Sequence, residues 1–484
     1  MWMVLFKLAD RSLGLVSVVI LARLLVPADF GLVAMAMAII AFIDIATTLS
    51  FDIALIQRPH PTREHYDTAW TLNIAVGAGS ALVIAALAYP AASFYNEPRL
   101  TPVMLVLAGS WLLQGFENIG VVNFRREMNF AREFRFMASK RIVGFAVTLT
   151  LALTLQSYWA LIAGTIVSRF AGVLLSYAMQ PFRPRFSLAA SKELFSFSSW
   201  LLLNNILGAT LANISLFFIG RVNGPQALGL YTVGHEIAFL PSTELIAPIN
   251  RAVLPGYARM ATNIETLREG FVEIIAVILI VALPASFGLA AIAEPLVKVV
   301  LGDRWLGTIP IIQTLAFGGA IAAMQSNNYA AYIALAQQRV LVRVMTAHLI
   351  VVVPLMFFLG GKFGILGVAY AELGASVTSL LVGYPVLFKT LKISVRSYVI
   401  RIWRPLLAAS AMGFTVHALV AEAMEGGAPL APAWQLAAVI PAGVAIYLAS
   451  LAALWLASGK PSGAETVLLV RLTETASWFR RVLA

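Results

Sequence analysis

Apolar residues in this chain neither alternate nor mark one helical face. They come in long unbroken runs separated by short polar clusters. A run of roughly 20 apolar residues is long enough to cross the hydrocarbon core of a bilayer as a helix. Fourteen such runs occur, near 3–25, 31–56, 68–92, 101–122, 140–157, 158–180, 194–220, 230–251, 271–293, 309–334, 340–360, 365–388, 405–421 and 434–457. The connections are brief, the longest being the basic segment 123–139. The pattern predicts an all-α polytopic membrane protein of about 14 transmembrane helices, with no room for a soluble catalytic domain.

One stretch occurs twice. The frame of Ala22 to Leu32 returns 198 positions later, in Gly220 to Leu230. Arg23, Pro27, Gly31 and Leu32 fall on Arg221, Pro225, Gly229 and Leu230. In each copy an apolar run ends at the Arg, Pro and Gly supply a turn, and a second run begins. Recurrence at the same place in two similar hydropathy patterns suggests a duplicated helical bundle.

Composition agrees. Of 484 residues 60% are hydrophobic and 12% charged, with mean hydropathy +0.86. Soluble chains carry about a quarter charged residues. The net charge of +11 would point to nucleic acid in a soluble protein. Here its distribution matters more. Assigning loops alternately to two sides places 24 of the 34 Lys and Arg on one side and six on the other. The excess of positive charge predicts that side, and with it both termini, to be cytoplasmic. The first run begins near residue 3 and no A-x-A cleavage site follows, so it reads as an uncleaved membrane helix. No Cys is present, and the five His show no metal-ligand spacing, so neither metal nor cofactor is expected. The Arg- and Phe-rich segment 123–137, between two membrane runs, reads as an amphipathic helix lying on anionic lipid rather than a nucleic-acid patch.

The run from Gly14 to Leu32, then Ile53 to Arg58 and Asp67 to Trp70, resembles the bacterial polysaccharide flippases. Tyr95 to Arg99, Ile219 to Arg221, Leu228 to Tyr231, Ala293 to Leu296 and Leu301 to Trp305 continue the likeness over roughly residues 10–400. These proteins are the polysaccharide transporter branch of the multidrug/oligosaccharidyl-lipid/polysaccharide exporter superfamily. The resemblance implies two pseudo-symmetric six-helix lobes, 1–180 and 194–390, joined by a cytoplasmic linker at 181–193. Two additional transmembrane helices would occupy 391–458, and a cytoplasmic tail 459–484. It also implies alternating-access export of an undecaprenyl-diphosphate-linked oligosaccharide across the bacterial inner membrane, for surface or exopolysaccharide synthesis. Partners implied are membrane lipid, H+ or Na+ as coupling ion, and a polysaccharide polymerase and co-polymerase beside a monomeric transporter. Members of this branch often carry a carboxylate late in the seventh helix, where this chain has Asn213 and Ser215.

Carrying a diphosphate through hydrocarbon requires buried cations, and an ionisable residue at membrane depth faces a cavity or a partner. Arg169 lies about 16 Å into its run and Arg11 about 12 Å from the cytoplasmic end of the first, counted at 1.5 Å per residue. A guanidinium fork can bond two phosphate oxygens. Arg169, Arg11 and Arg251 are therefore the candidate diphosphate ligands. For Arg169 the competing reading is an ion pair with Asp10 or Glu372; for Arg11 and Arg251 it is snorkelling. Asn204, Asn205, Asn213, Gln325, Asn327, Asn328 and Tyr329 suit sugar hydroxyls, but such groups also glue helices together. For ion coupling the candidates are Asp44, Glu236, Glu244, Glu372 and His348. Glu236, Glu244 and Arg251 would fall within about 80° of one helical face at 3.6 residues per turn.

Two alternatives stand beside a flippase. An ion-coupled multidrug antiporter of the same superfamily would have an acidic, aromatic lumen. A membrane-embedded polysaccharide polymerase or glycosyltransferase would need a large loop with paired carboxylates. No GxxxxGK[ST] stretch occurs, which argues against ATP as the direct driver.

Overall fold

The computed structural model describes residues 2–47, 51–191, 199–425, 432–461 and 465–466. They are almost entirely helical, with no strand among them. Two compact units emerge, Met1–Thr232 and Val233–Ala484.

The first unit contains α1 (Trp2–Leu24), α2 (Pro27–Thr47), α3 (Phe51–Gln57), α4 (Arg63–Tyr95), α5 (Leu100–Gly115), α6 (Val122–Arg126), α7 (Phe130–Leu155) and α8 (Trp159–Met179). Helix α4 packs along α5, α7 along α8, and α1 against α7. Next comes α9 (Ser199–Leu240), which runs on into the second unit. Beyond it lie α10 (Ala247–Met260), α11 (Ile264–Ala291), α12 (Ala293–Val300), α13 (Ile309–Ala334), α14 (Gln338–Leu391), α15 (Val395–Glu425) and α16 (Pro432–Ala457). Here α11 is central, flanked by α13 and α15. The last helix is tied to it where Tyr447 Oη donates to the Ile280 carbonyl at 2.8 Å.

Among the described residues nine helices are long and apolar enough to cross a membrane, or ten if the bent pair Leu100–Gly115 and Ile119–Arg126 forms one span. The sequence suggested fourteen. Part of the difference is that α14, at 54 residues, would extend about 80 Å if straight, against about 30 Å of hydrocarbon. It is not straight: Gly364 breaks it at φ 59°, and Gly224 breaks α9 at φ 79° immediately before Pro225. Both conformations are open to glycine and costly for other residues.

The basic segment 123–137 is not one surface helix. Helix α6 ends before Met128, which sits at φ 53°, and Asn129 caps α7 by accepting from Arg132 N at 3.2 Å. Phe124 and Phe136 are buried. Arg125 is bound to Glu133, and Arg126 donates to Tyr66 Oη at 2.8 Å. These arginines fasten the turn to the protein rather than lying free on lipid.

A second departure concerns Glu236 and Glu244. A π-helical turn, Pro241–Leu245, falls between Glu236 and Arg251. Pro241 lacks an N–H and its ring crowds the preceding turn, which widens the helix there. The regular 3.6-residue phase behind the expected common face does not carry through.

Candidate functional site

In the first unit α2, α5 and α8 bring three side chains together from distant parts of the chain. The Arg169 guanidinium carbon lies 3.3 Å from the centroid of the Trp111 ring. Indole is the aromatic face a cation prefers. On the ring's polar edge Trp111 Nε1 donates to Asp44 Oδ1. The two charges bearing on Arg169 are Asp44 and Glu117. Its Nη1 is buried and has no hydrogen-bond partner. Such a donor costs about 1–3 kcal/mol to leave unpaired.

All three residues line a cavity of about 810 Å³. Further along its wall, Lys140 Nζ bonds Glu117 at 2.9 Å, Arg141 bonds Asp10 at 2.8 Å, and Arg125 bridges Glu133 and Asp52. Asn73, Ser80, Gln114 and Asn118 add uncharged polar groups. The lining holds five carboxylates and four cations. The expected cation-bearing vestibule is thus, in this cavity, nearly charge-balanced with one carboxylate in excess. Among the described residues, Arg169 is the lining cation with a buried nitrogen that has no hydrogen-bond partner, and the others carry ion pairs.

Asp10, one expected partner of Arg169, instead faces Arg141. Glu372 faces His348, whose Nε2 lies 3.3 Å from Oε2, while His348 Nδ1 lies 3.0 Å from Ser379 Oγ. The sequence had singled out these two residues separately; folding of the second unit joins them.

The remaining candidates are scattered. Arg11 is half-buried on α1. Asn213 gives its amide to the Ala209 carbonyl one turn back, at 2.9 Å. Gln325 Nε2 reaches the Ser376 carbonyl at 3.3 Å. Asn327 is fully enclosed and donates to Tyr257 Oη at 2.6 Å, and Asn328 is buried beside it. Tyr329, the next residue, is 57% exposed. Glu236 and Glu244 are half-buried and both have partners. The side chains of Arg251, Asn204 and Asn205 lie outside the described residues.

Trp111 was missed by the sequence reading. Its only signal was an indole in the middle of an apolar run, where the N–H needs a partner. No metal-binding group of His, Cys, Asp and Glu occurs among the described residues.

The profile of the family described as "Polysaccharide biosynthesis protein" matches residues 20–310. The chain belongs to that family. Relatives with which it aligns include lipopolysaccharide biosynthesis protein WzxC of Escherichia coli K12, 24% identical over 84% of this chain and 83% of that one. Teichuronic acid biosynthesis protein TuaB of Bacillus subtilis is 24% identical over 77% and 78%. Succinoglycan biosynthesis transport protein ExoT of Rhizobium meliloti is 26% identical over 66% and 65%. In fold, this family member is similar to the lipid II flippase MurJ in an inward closed conformation (TM-score 0.69, 15% identity, 93% of this chain and 99% of that one). It is also similar to an inward-facing multidrug MATE transporter (TM-score 0.60, 16% identity, 80% and 96%). The chain is therefore a multi-pass membrane protein with a transporter fold.

Proposed function

We propose that this protein is a flippase that carries an undecaprenyl-diphosphate-linked oligosaccharide from the cytoplasmic to the periplasmic leaflet of the bacterial inner membrane by alternating access. The observation that carries the reading is its membership of the polysaccharide biosynthesis family together with its likeness to relatives named for polymer biosynthesis and transport. It is a transporter and not an enzyme. The two halves 1–180 and 194–390 are its moving parts, and both termini are cytoplasmic.

Arg169 is the cation offered to the diphosphate. Arg169 lines the cavity, its buried Nη1 has no hydrogen-bond partner, and a guanidinium can meet two phosphate oxygens at once. Asp44 sets its availability. Ionised, Asp44 competes with phosphate for the same guanidinium; protonated, it does not. Proton occupancy of Asp44 and cargo occupancy at Arg169 are then linked, each changing the other by the same factor. In the second unit His348 and Glu372 form a further place to hold a proton. Gln325 and Tyr329 are the sugar-facing members of the polar set, and a polymerase receives the product.

The test is Arg169→Ala, assayed for surface polysaccharide and for protein in the membrane. Loss of polymer with normal protein level supports the role, and unchanged polymer output removes Arg169 from the mechanism. Drug resistance conferred by the wild-type gene, with no effect on polymer, would favour the antiporter reading that the MATE-like fold also accommodates.

A further inference from the structure

A second cavity, of about 340 Å³, lies in the second unit at the start of α15 and is lined by Ser394, Arg396, Ser397, Ile400, Arg401, Arg404 and Pro461. Ser397, Arg401 and Arg404 are spaced by four and three, so they share one helical face. Three guanidinium groups thus surround a small concave space. Among the described residues one carboxylate answers them: Glu465 accepts from Arg404 Nε at 2.8 Å, both side chains being about 95% buried. That pair neutralises the deepest cation. Arg396, exposed, and Arg401, half-buried, leave two formal positive charges in the lining. Ser394 Oγ accepts from Ser397 N at 3.0 Å, which leaves both hydroxyl protons able to donate toward the cavity. Two guanidinium forks and two hydroxyls are a donor set for phosphate oxygens.

What surrounds the cavity selects among phosphates. Val395 (62% exposed), Val399, Ile400, Leu406 and Leu407 present bare apolar surface on the same first turns of α15. A soluble phosphate has no use for that surface, whereas acyl chains cover it. The volume suits a single phosphodiester head and not one bearing an oligosaccharide. We propose that this cavity binds the phosphate of a resident anionic phospholipid, whose chains lie along the first turns of α15. Basic pockets between membrane helices on the cytoplasmic side take such headgroups. The site depends on the protein spanning a membrane and is independent of what is transported.

The experiment extracts the full chain in mild detergent and counts retained lipid by native mass spectrometry, with phosphatidylglycerol and phosphatidylcholine as probes. Wild type should retain phosphatidylglycerol in preference. Arg396→Ala and Arg401→Ala should each weaken retention roughly fivefold, from about 1 kcal/mol per surface cation. Arg401→Lys, which keeps the charge and loses the fork, should fall between. Arg404 is left intact so that the buried pair survives. Equal retention of phosphatidylcholine, or unchanged retention in both alanine variants, overturns the proposal. Displacement by inorganic phosphate as readily as by phosphatidylglycerol would assign the cavity to a soluble anion. Preferential displacement by a polyprenyl diphosphate would assign it to the cargo. Either result also overturns it.

Discussion

Gly31 and Gly229 touch each other's turns reciprocally. A Cβ on Gly31 would fall 1.7 Å from the Pro225 carbonyl oxygen, and one on Gly229 would fall 1.8 Å from that of Pro27. These are corresponding positions of the repeated motif, so the two copies meet each other within the first unit. A contact in which each copy offers the other the same surface is what a two-fold relation produces. Gly31→Ala and Gly229→Ala should each destabilise the protein by about 3 kcal/mol or more, because the obstacle is backbone that cannot turn aside. Both substitutions open the same contact, so the double variant should lose clearly less than the sum. Thermal unfolding of the detergent-purified protein checks both statements; full additivity would show that the two glycines act separately.

Trp111 does two jobs that substitution can separate. Its face carries Arg169 and its N–H holds Asp44. Trp111→Phe keeps an aromatic face, weaker for cations, and removes the hydrogen bond. Asp44 then loses a donor worth about 1.5–3 kcal/mol for a charged acceptor. Surface polymer output should fall and become more sensitive to external pH, with protein level unchanged. Trp111→Leu, which removes face and donor together, should resemble Arg169→Ala. If Trp111→Phe leaves both output and pH profile as in wild type, Asp44 is not governed by the indole.

Between α4 and α5, outside the membrane segments, Arg99 grips both oxygens of Glu97 at 2.8 and 2.9 Å. The bidentate hydrogen bonds hold the Glu97 carboxyl below its ordinary value of 4.5, against the opposing pull of burial. A carboxylate depressed in the folded state contributes stability that is complete above 4.5 and fades as pH falls through the lower folded value. Arg99→Gln should therefore lower the melting temperature at neutral pH, and the gap to wild type should narrow progressively as the pH falls below 4.5. A gap that stays constant through that range would mean that Arg99 acts by packing alone.

Much of this was legible because bilayer length and apolar run length are the same constraint seen twice. Pro225 and Gly364 mark breaks that the sequence placed between runs 194–220 and 230–251, and between 340–360 and 365–388. Arg169 could be found by depth alone, since a charge that far into a run must face something. Its neighbours could not, because Asp44, Trp111 and Arg169 lie on three separate helices and only packing decides which faces meet. The same holds for His348 and Glu372, chosen singly and found together. The departures from the expected pattern lie where the helices are irregular. The π turn at Pro241 changed the phase of Glu236 and Glu244, and the left-handed Met128 split the basic segment in two.

Arg404 and Glu465 form an ion pair with side chains 5% and 6% exposed, 61 positions apart, joining the first turns of α15 to the segment after α16. Desolvating both groups takes back much of what their attraction gives, so the pair as a whole adds little. Breaking it is another matter. Arg404→Ala leaves a carboxylate buried without its cation and should cost about 3–5 kcal/mol. Arg404→Met with Glu465→Leu fills similar volume with no charge and should regain most of that loss. The double variant would then be as stable as wild type yet lack the electrostatic tie that fixes residues 465–466 against α15. Proteolysis of the purified protein near that segment distinguishes stability from positioning. A double variant that melts like wild type but is cut faster there would mean the pair sets geometry, whereas one as unstable as Arg404→Ala would mean the charges themselves sustain the fold.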